Sequence, residues 1–138
     1  MSTKTMTQEK TATGSLVWFE IPADNVGRAK TFYSDLFGWN IAPFPGMQGP
    51  EAQSYLHVDT GGDDASPDGG LMARKQAEQG ITQYISVASV SDSEAKVKKL
   101  GGKICMAKTA VPQMGYFAIC QDTENNTFAI WEMNKKAK

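Results

Sequence analysis

The chain has little of what most reaction centres and cross-links are built from. Its 138 residues include one histidine, His57, and two cysteines, Cys105 and Cys120. Two cysteines do not make a disulfide framework, and without a Cys-x-x-Cys pair the sequence has no starting point for a zinc or iron–sulfur site. Both thiols are expected to be buried and inert, on a hairpin where they lie opposite each other.

Net charge and long apolar runs are also scarce. The formal net charge is −1, with 41% hydrophobic and 21% charged residues, which is the composition of a globular protein. Without a strongly basic face, the phosphate backbone of nucleic acid is a poor partner. No apolar run approaches the roughly 20 residues that span a bilayer. We therefore expect no nucleic-acid partner and no membrane partner.

Both ends of the chain are polar. Residues 1–13 are rich in threonine and lack the apolar centre of a secretory signal, which predicts a flexible tail and a cytoplasmic protein. Residues 135–138 form a second short tail. A single domain is expected between them, at residues 14–134.

A strand-helix-strand pattern occurs twice along this domain. Apolar residues alternate at 16–21 and again at 81–87, as in half-buried strands. A helix is predicted after each strand, at residues 26–37 in the first copy. Its apolar stripe consists of Val26, Ala29, Phe32, Tyr33, Leu36 and Phe37.

Glycines mark the helix ends and set the period of the repeat. Gly38 and Gly101 follow the two helices and are 101 − 38 = 63 residues apart. In the second copy, Ser91 and Glu94 have the spacing of a capping box at the start of the helix.

Two further strands follow each strand-helix-strand unit. These strands are predicted at residues 54–58, 70–74, 116–121 and 127–133. The order is therefore β-α-β-β-β twice, an α+β fold with module 1 at about residues 14–76 and module 2 at about residues 80–134. Between the strands of the first module, residues 61–70 are rich in Gly and Asp and predict a flexible loop.

Strand alternation predicts which side chains face the helices. The rows expected beneath the helices are Val17/Phe19/Ile21, Ile85/Val87, Phe117/Ile119 and Phe128/Ile130, with Leu56 and Val58 on the same side. The opposite rows face a shared concavity. They include Trp18, Glu20, Tyr55, His57, Tyr84 and Trp131.

Four segments resemble the vicinal oxygen chelate superfamily, which includes glyoxalase I, bleomycin-resistance proteins and extradiol dioxygenases. These segments are VWFEIPADNVGRAKTFYSDLFGW, GGLM, AKVKKLGGKI and DTENNTFAIWE. The resemblance covers residues 16–133. It implies that the two modules pair their sheets into an incomplete mixed β-barrel around a cup, with the helices outside, and that the protein is a homodimer.

Many members of that superfamily hold one divalent metal in the cup, with His, Gln or Glu ligands on the first and last strand of each module. The resemblance places these positions at Trp18, at about Thr82, at Ala129 and on the strand at residues 69–74, which contains no His, Gln or Glu. Gln83, one residue out of register, cannot hold a metal alone. We therefore predict a cup without a metal and without another cofactor.

The predicted function is that of a glyoxalase/bleomycin-resistance-like protein that binds a small organic molecule in its cup without a metal. In this hypothesis Trp18, Tyr84 and Trp131 stack on the ligand, and Glu20, Tyr55 and His57 orient it. Two alternatives stay open. The chain could be a glyoxalase-like lyase or isomerase with Glu20 or His57 as acid/base, or a structural module with a filled cup. The sequence identifies neither the ligand nor a catalytic activity.

The missing ligand side chains lead to a prediction about metal content. Protein purified without added metal should contain far less than one divalent ion per chain, because the four implied positions offer no normal ligand set. Elemental analysis by mass spectrometry tests this. A stoichiometric zinc, iron or nickel ion that survives gel filtration would contradict it.

Overall fold

The computed structural model describes residues 13–63 and 66–138, which form two compact units. Unit 1 is Trp18–Ile81, and unit 2 is Thr82–Lys138 together with residues 13–17. Apart from residue 13, the predicted flexible tail lies outside the described residues. Within the described ranges, no helix has both the length and the apolar character needed to cross a membrane.

Each module has the predicted order of elements, with one short helix added. The first contains β1 (Leu16–Ala23), α1 (Val26–Phe37), β2 (Asn40–Pro43), α2 (Pro50–Ser54), β3 (Tyr55–Asp59) and β4 (Asp68–Ala73). The second contains β5 (Thr82–Ser86), α3 (Val90–Lys99), β6 (Lys103–Val111), β7 (Gly115–Gln121) and β8 (Thr127–Met133). The α+β class is confirmed.

Helix α1 begins and ends where the sequence predicts. The Asn25 side chain accepts a hydrogen bond from the Arg28 amide at 2.9 Å, which satisfies one free donor at the helix start. Gly38 closes the helix in the left-handed conformation, with φ of 73°. Both caps act on backbone groups a few residues away, so the sequence alone predicts the bounds of α1 correctly.

Helix α3 begins earlier than the capping box predicts. Ser89, not Ser91, is the N-cap, and its hydroxyl accepts from the Asp92 amide at 3.1 Å. Glu94 accepts instead from the amide of Lys108 at 2.7 Å. The predicted capping box is wrong because a carboxylate that could cap its own helix bonds a distant strand.

The unit 1 sheet has the strand order β2-β3-β4-β1. The β2/β3 and β3/β4 pairs are antiparallel and the β4/β1 pair is parallel, so the sheet is mixed. Register aligns Gly70 of β4 with Glu20 on one side and with His57 on the other. The side chains of β1 and β3 that share a face are therefore separated by one strand.

The core of unit 1 lies between this sheet and α1. Its buried members are Ile21, Ala23, Ile41, Leu56, Val58 and Leu71, against which Phe19, Val26, Ala29, Tyr33 and Trp39 pack. Of the predicted helix-facing rows, Phe19 and Ile21 of β1 and both residues of β3 are present in this cluster, whereas Val17 is not. The predicted apolar stripe of α1 packs only in part, because Phe32, Leu36 and Phe37 remain exposed.

The unit 2 sheet has the order β5-β8-β7-β6, with β5 parallel to β8 and the other pairs antiparallel. Its core contains Val90, Ala118, Cys120 and Ile130, with Val87, Val97, Ile104, Tyr116 and Phe128 packed around them. The prediction that Phe117 and Ile119 face the helix is wrong, since they pair with Trp131 and Ala129 on the other face. Both rows of β7 are apolar, so alternation alone cannot choose between them.

The two cysteines lie on the predicted β6/β7 hairpin, but they are not directly opposite. Cys120 pairs with Ile104, and a register shift between Ile104 and Met106 leaves Cys105 as an extra residue. Cys120 is buried and Cys105 is exposed, both as free thiols. The prediction of a buried thiol is therefore wrong for Cys105.

The buried thiol makes the stability of the protein depend on alkaline pH. Burial, with smaller contributions from Cys105 and Glu94, raises the pKa of the Cys120 thiol to about 11. The folded state therefore holds this proton more tightly than the unfolded state, whose thiol titrates at about 8.5. The resulting stabilisation is complete below the unfolded pKa and is lost as pH rises through the folded pKa.

We expect the free energy of unfolding of the wild type, relative to Cys120→Ala, to be constant up to about pH 8 and to fall by up to about 3 kcal/mol by about pH 11. Urea unfolding of both proteins at several pH values measures this difference. The Ala variant controls for Lys and Tyr residues that titrate in the same range. If the difference in free energy of unfolding between the two proteins does not change with pH, the raised pKa of Cys120 is contradicted.

Candidate functional site

The sheet face of unit 1 opposite the core carries the candidate site. Because Phe19, Ile21, Leu56, Val58 and Leu71 belong to the core, strand alternation places their neighbours on the other face. That face, here termed the site face, presents Trp18, Glu20, Phe44, Tyr55, His57 and Asp68. Four of the predicted site residues, Trp18, Glu20, Tyr55 and His57, are therefore brought together.

A chain of two hydrogen bonds joins β1 to β3 across the site face. The Trp18 Nε1–H donates to the Tyr55 hydroxyl at 2.9 Å, and that hydroxyl donates to Glu20 Oε2 at 2.7 Å. The direction is determined by chemistry, since an indole nitrogen only donates and a carboxylate only accepts. Burial and the charge of Glu20 raise the pKa of Tyr55, so the phenol stays protonated and remains a donor.

Gly70 makes this chain possible. The ring of Tyr55 on β3 crosses β4 to reach β1, and it does so directly above Gly70. A Cβ atom at Gly70 would lie 2.3 Å from both Cζ and the hydroxyl oxygen of Tyr55. A side chain at this position and the present placement of Tyr55 therefore exclude each other.

Stacked rings surround the hydrogen-bond chain. The Trp18 and His57 rings are parallel within 2°, with centroids 6.0 Å apart. Phe44 lies 5.0 Å from His57 and 5.9 Å from Tyr55, distances at which aromatic pairs attract. Together these four rings form a continuous aromatic surface, and all four side chains are only partly buried.

Phe44 is a site residue that sequence reasoning missed. A strand is predicted at residues 39–44, in a segment broken by prolines, and β2 ends one residue before Phe44. Strand alternation could have identified it. Ile41 belongs to the core, and a residue three positions further along a strand points to the opposite face of the sheet.

Asp68 is the second site residue that was missed. Its Oδ2 lies 3.2 Å from His57 Nε2, and its Oδ1 accepts from the Thr60 amide at 3.1 Å. The sequence placed Asp68 in a flexible loop, whereas β4 begins at this residue. Residues 64–65 of that predicted loop lie outside the described residues. Asp68 is two residues before Gly70, so strand alternation would place both on the same face of the sheet.

The residues present do not fit a metal ion of the kind that the resemblance implies. The implied positions hold Trp18, Thr82 and Ala129, and Gly70 on β4 lies under the ring of Tyr55. His57 and Asp68 are two adjacent donors, but among residues 13–63 and 66–138 no three His, Cys, Asp or Glu side chains cluster to hold an ion.

Tyr84 and Trp131, the other two predicted ligand contacts, belong to unit 2. Tyr84 is buried, with its ring centroid 6.2 Å from that of Phe117. Trp131 packs over Gly115, where a Cβ would lie 2.7 Å from the indole. Their role in ligand binding stays a prediction.

The close approach at Gly70 yields a mutational prediction. Gly70→Ala should destabilise the protein by about 2 kcal/mol, because the new methyl group displaces the Tyr55 ring from Trp18 and Glu20. Gly80→Ala is the matched control, since a Cβ at Gly80 would meet no atom within 4 Å. Urea unfolding of both variants measures the effect.

A double-mutant cycle assigns the loss to the tyrosine. In a Tyr55→Ala background, Gly70→Ala should cost far less, because the ring that the methyl group strikes is gone. Equal stability of Gly70→Ala and Gly80→Ala would contradict this account of the site.

Comparison with known proteins relates the chain to one superfamily. The family described as bleomycin resistance protein-like N-terminal matches residues 15–49. A "glyoxylase-like domain-containing protein" of Didymella fabae is 35% identical over 121 residues, covering 85% of this chain and 92% of that protein.

Two more distant similarities agree with this relationship. The anthracycline biosynthesis protein DauV of Streptomyces sp. (strain C5) is 25% identical over 140 residues. The alignment covers 87% of this chain, which spans about half of DauV, 47% of its length. A glyoxalase/bleomycin resistance protein/dioxygenase superfamily member from Vibrio splendidus 12B01 has the same fold, with a TM-score of 0.60 at 14% identity over 88% of this chain and 100% of that chain. The identity to the Didymella protein over most of both sequences shows that this chain belongs to the glyoxalase/bleomycin resistance/dioxygenase superfamily, the vicinal oxygen chelate superfamily.

Proposed function

We propose that this protein binds a small, flat organic molecule on the site face, without a resident metal. The observation that carries the proposal is the set of partly buried rings of Trp18, Phe44 and His57. Polar contacts hold the edges of the Trp18 and His57 rings. Binding sites for organic molecules typically combine apolar, aromatic walls with a few placed polar groups.

Preorganisation of these rings supports a binding role. Trp18 is held by its hydrogen bond to Tyr55, and His57 is held by its contact with Asp68. A ligand that stacks on them meets side chains whose rotamers are already restricted, so little conformational entropy is lost on binding. Glu20 and Tyr55 supply the polar groups that would orient the ligand.

The charge of the site face favours a neutral or cationic ligand. Glu20 and Asp68 are carboxylates on this face, and Asp59 shares their phase on β3. An anionic ligand would therefore meet repulsion in addition to its own desolvation cost.

The names of the relatives are consistent with an organic ligand. One relative is described by anthracycline biosynthesis and the matching family by bleomycin resistance, and both terms refer to organic molecules.

A cytoplasmic location belongs to the same proposal. Its support is that Cys105 and Cys120 are free thiols, which suits a reducing compartment.

A second candidate function is proton transfer on a bound substrate. The observation that favours it is the His57–Asp68 contact of 3.2 Å, because a carboxylate that orients an imidazole is a common acid/base arrangement. Glu20, which accepts from Tyr55, is the other candidate base on the same face. In this case His57→Gln would abolish turnover of a substrate that the variant still binds.

Ligand binding is tested with fused-ring probes of similar shape and different charge, namely 9-aminoacridine, 9-anthracenemethanol and 9-anthracenecarboxylate. The wild type should bind the cationic and neutral probes and raise its melting temperature with them. Trp18→Leu should weaken binding by about tenfold or more through loss of the stacking surface. Isothermal titration calorimetry measures both proteins.

Trp39→Leu is the matched control, because Trp39 packs in the core on the opposite side of the same sheet. This variant should be less stable yet bind the probes as the wild type does. Binding that Trp18→Leu leaves unchanged, or a wild type that binds none of the three probes, would overturn the proposal.

A further inference from the structure

His57 is the only histidine of the chain, and it lies on the site face with 31% of its side chain exposed. Its Nε2 atom is 3.2 Å from Asp68 Oδ2. A carboxylate only accepts hydrogen bonds, so Nε2 carries a proton and donates to Asp68. In the neutral imidazole the other nitrogen, Nδ1, is then unprotonated and acts as an acceptor. The contact with Asp68 therefore determines which ring nitrogen is left as an acceptor.

The Nδ1 atom of His57 is open to a ligand. Within residues 13–63 and 66–138, the polar contact of the His57 side chain is the one with Asp68, through Nε2. In the same part of the chain, every side-chain nitrogen or oxygen that solvent does not reach has a hydrogen-bond partner. Since Nδ1 has no partner there, solvent must reach it, and a bound ligand can take the place of that solvent.

The orientation of the His57 ring suits a flat ligand. The lone pair of Nδ1 lies in the plane of the imidazole, so a ligand donates to it best from within that plane. The Trp18 ring is parallel to the His57 ring within 2°. A flat ligand that lies in the plane of His57 is therefore also parallel to the indole, as stacking requires. One orientation of the ligand thus suits both the hydrogen bond and the stacking.

We propose that the ligand is an aromatic molecule with a hydroxyl group directly on its flat ring system, and that this hydroxyl donates to His57 Nδ1. This phenol class rests on the ligand-binding function proposed above and narrows it. The oxygen of a phenol conjugates with the ring and keeps the O–H near the ring plane, whereas the hydroxyl of a benzylic alcohol can leave that plane. His57 then determines specificity, and Asp68 is a positioning residue that acts through it.

The charge of the site face agrees with a neutral phenol. The carboxylates of Glu20 and Asp68 both lie on this face, and each is already an acceptor, from Tyr55 and from the Thr60 amide. A phenolate would be repelled by them and would lack the proton that Nδ1 needs. The phenol is therefore expected to bind in its protonated form.

The protonation of His57 is tested first, by nitrogen NMR of uniformly nitrogen-15-labelled protein at about pH 8, prepared without a histidine tag. Because the chain has one histidine, its two ring nitrogens give the only imidazole signals. We expect Nε2 to have the chemical shift of a protonated nitrogen and Nδ1 that of an unprotonated one. Adding 2-naphthol should shift the Nδ1 signal toward that of a hydrogen-bonded nitrogen, and 2-methoxynaphthalene should not.

Affinity for the same two probes is the second test. The wild type should bind 2-naphthol about tenfold more tightly than 2-methoxynaphthalene, because the methyl ether cannot donate and leaves Nδ1 without a partner. His57→Phe keeps a flat ring but has no acceptor, so it should bind the two probes with similar affinity. Titrations followed by probe fluorescence measure both proteins.

Asp68→Asn tests the positioning role of the carboxylate. An amide both donates and accepts, so it allows either protonation pattern of the imidazole. The preference for 2-naphthol should fall, and the two nitrogen shifts should move toward each other. Asp35→Asn is the matched control, because it removes a carboxylate at an exposed position of α1, which packs on the opposite face of the sheet. It should match the wild type in both measurements.

Three results would overturn the assignment of a phenol. They are a free protein in which Nδ1 is protonated, equal affinity of the wild type for 2-naphthol and its methyl ether, and a preference for 2-naphthol that persists in His57→Phe. Each of them leaves ligand stacking on Trp18 untouched, provided that the anthracene probes bind. A wild type that binds neither the naphthalene nor the anthracene probes would overturn both proposals.

Discussion

The candidate site depends on the two hydrogen bonds made by the Tyr55 hydroxyl. The hydroxyl accepts from Trp18 and donates to Glu20, and so joins two strands that are separated by β4. This reach across the sheet requires that β4 carry no side chain at Gly70. Because Gly70 has no Cβ atom, the Tyr55 ring can lie above it. Its hydroxyl then fixes the Trp18 ring and gives the Glu20 carboxylate a hydrogen-bond donor.

The same contact occupies space at the strands where the resemblance places metal ligands. The space above Gly70 on β4 is filled by the phenol ring of Tyr55, and the implied ligand position on β1 holds the indole of Trp18. What remains is an aromatic surface with two carboxylates and one imidazole. In the proposed function, this surface binds its ligand through stacking and hydrogen bonds.

Many elements of the fold could be predicted from helix caps and from strand alternation. The bounds of α1 were predicted correctly because its caps, Asn25 and Gly38, act on backbone groups a few residues away. The face of β7 was predicted wrongly because both of its rows are apolar and its register is determined by β8. Asp68 and Phe44 were missed because each lies just outside or at the end of a short strand, where alternation has too few residues to be read.

The sequence by itself determined the repeated βαβββ order, the lack of a usual ligand set and the alternation that places Trp18, Glu20, Tyr55 and His57 on one face. These follow from residue type and from the period of two along a strand. Only the tertiary structure decided that Tyr55 crosses over Gly70, that His57 meets Asp68, and that Phe32 and Leu36 are left exposed. Those contacts depend on which strands become neighbours and how far a helix lies from its sheet, and neither quantity is encoded in any short stretch of sequence.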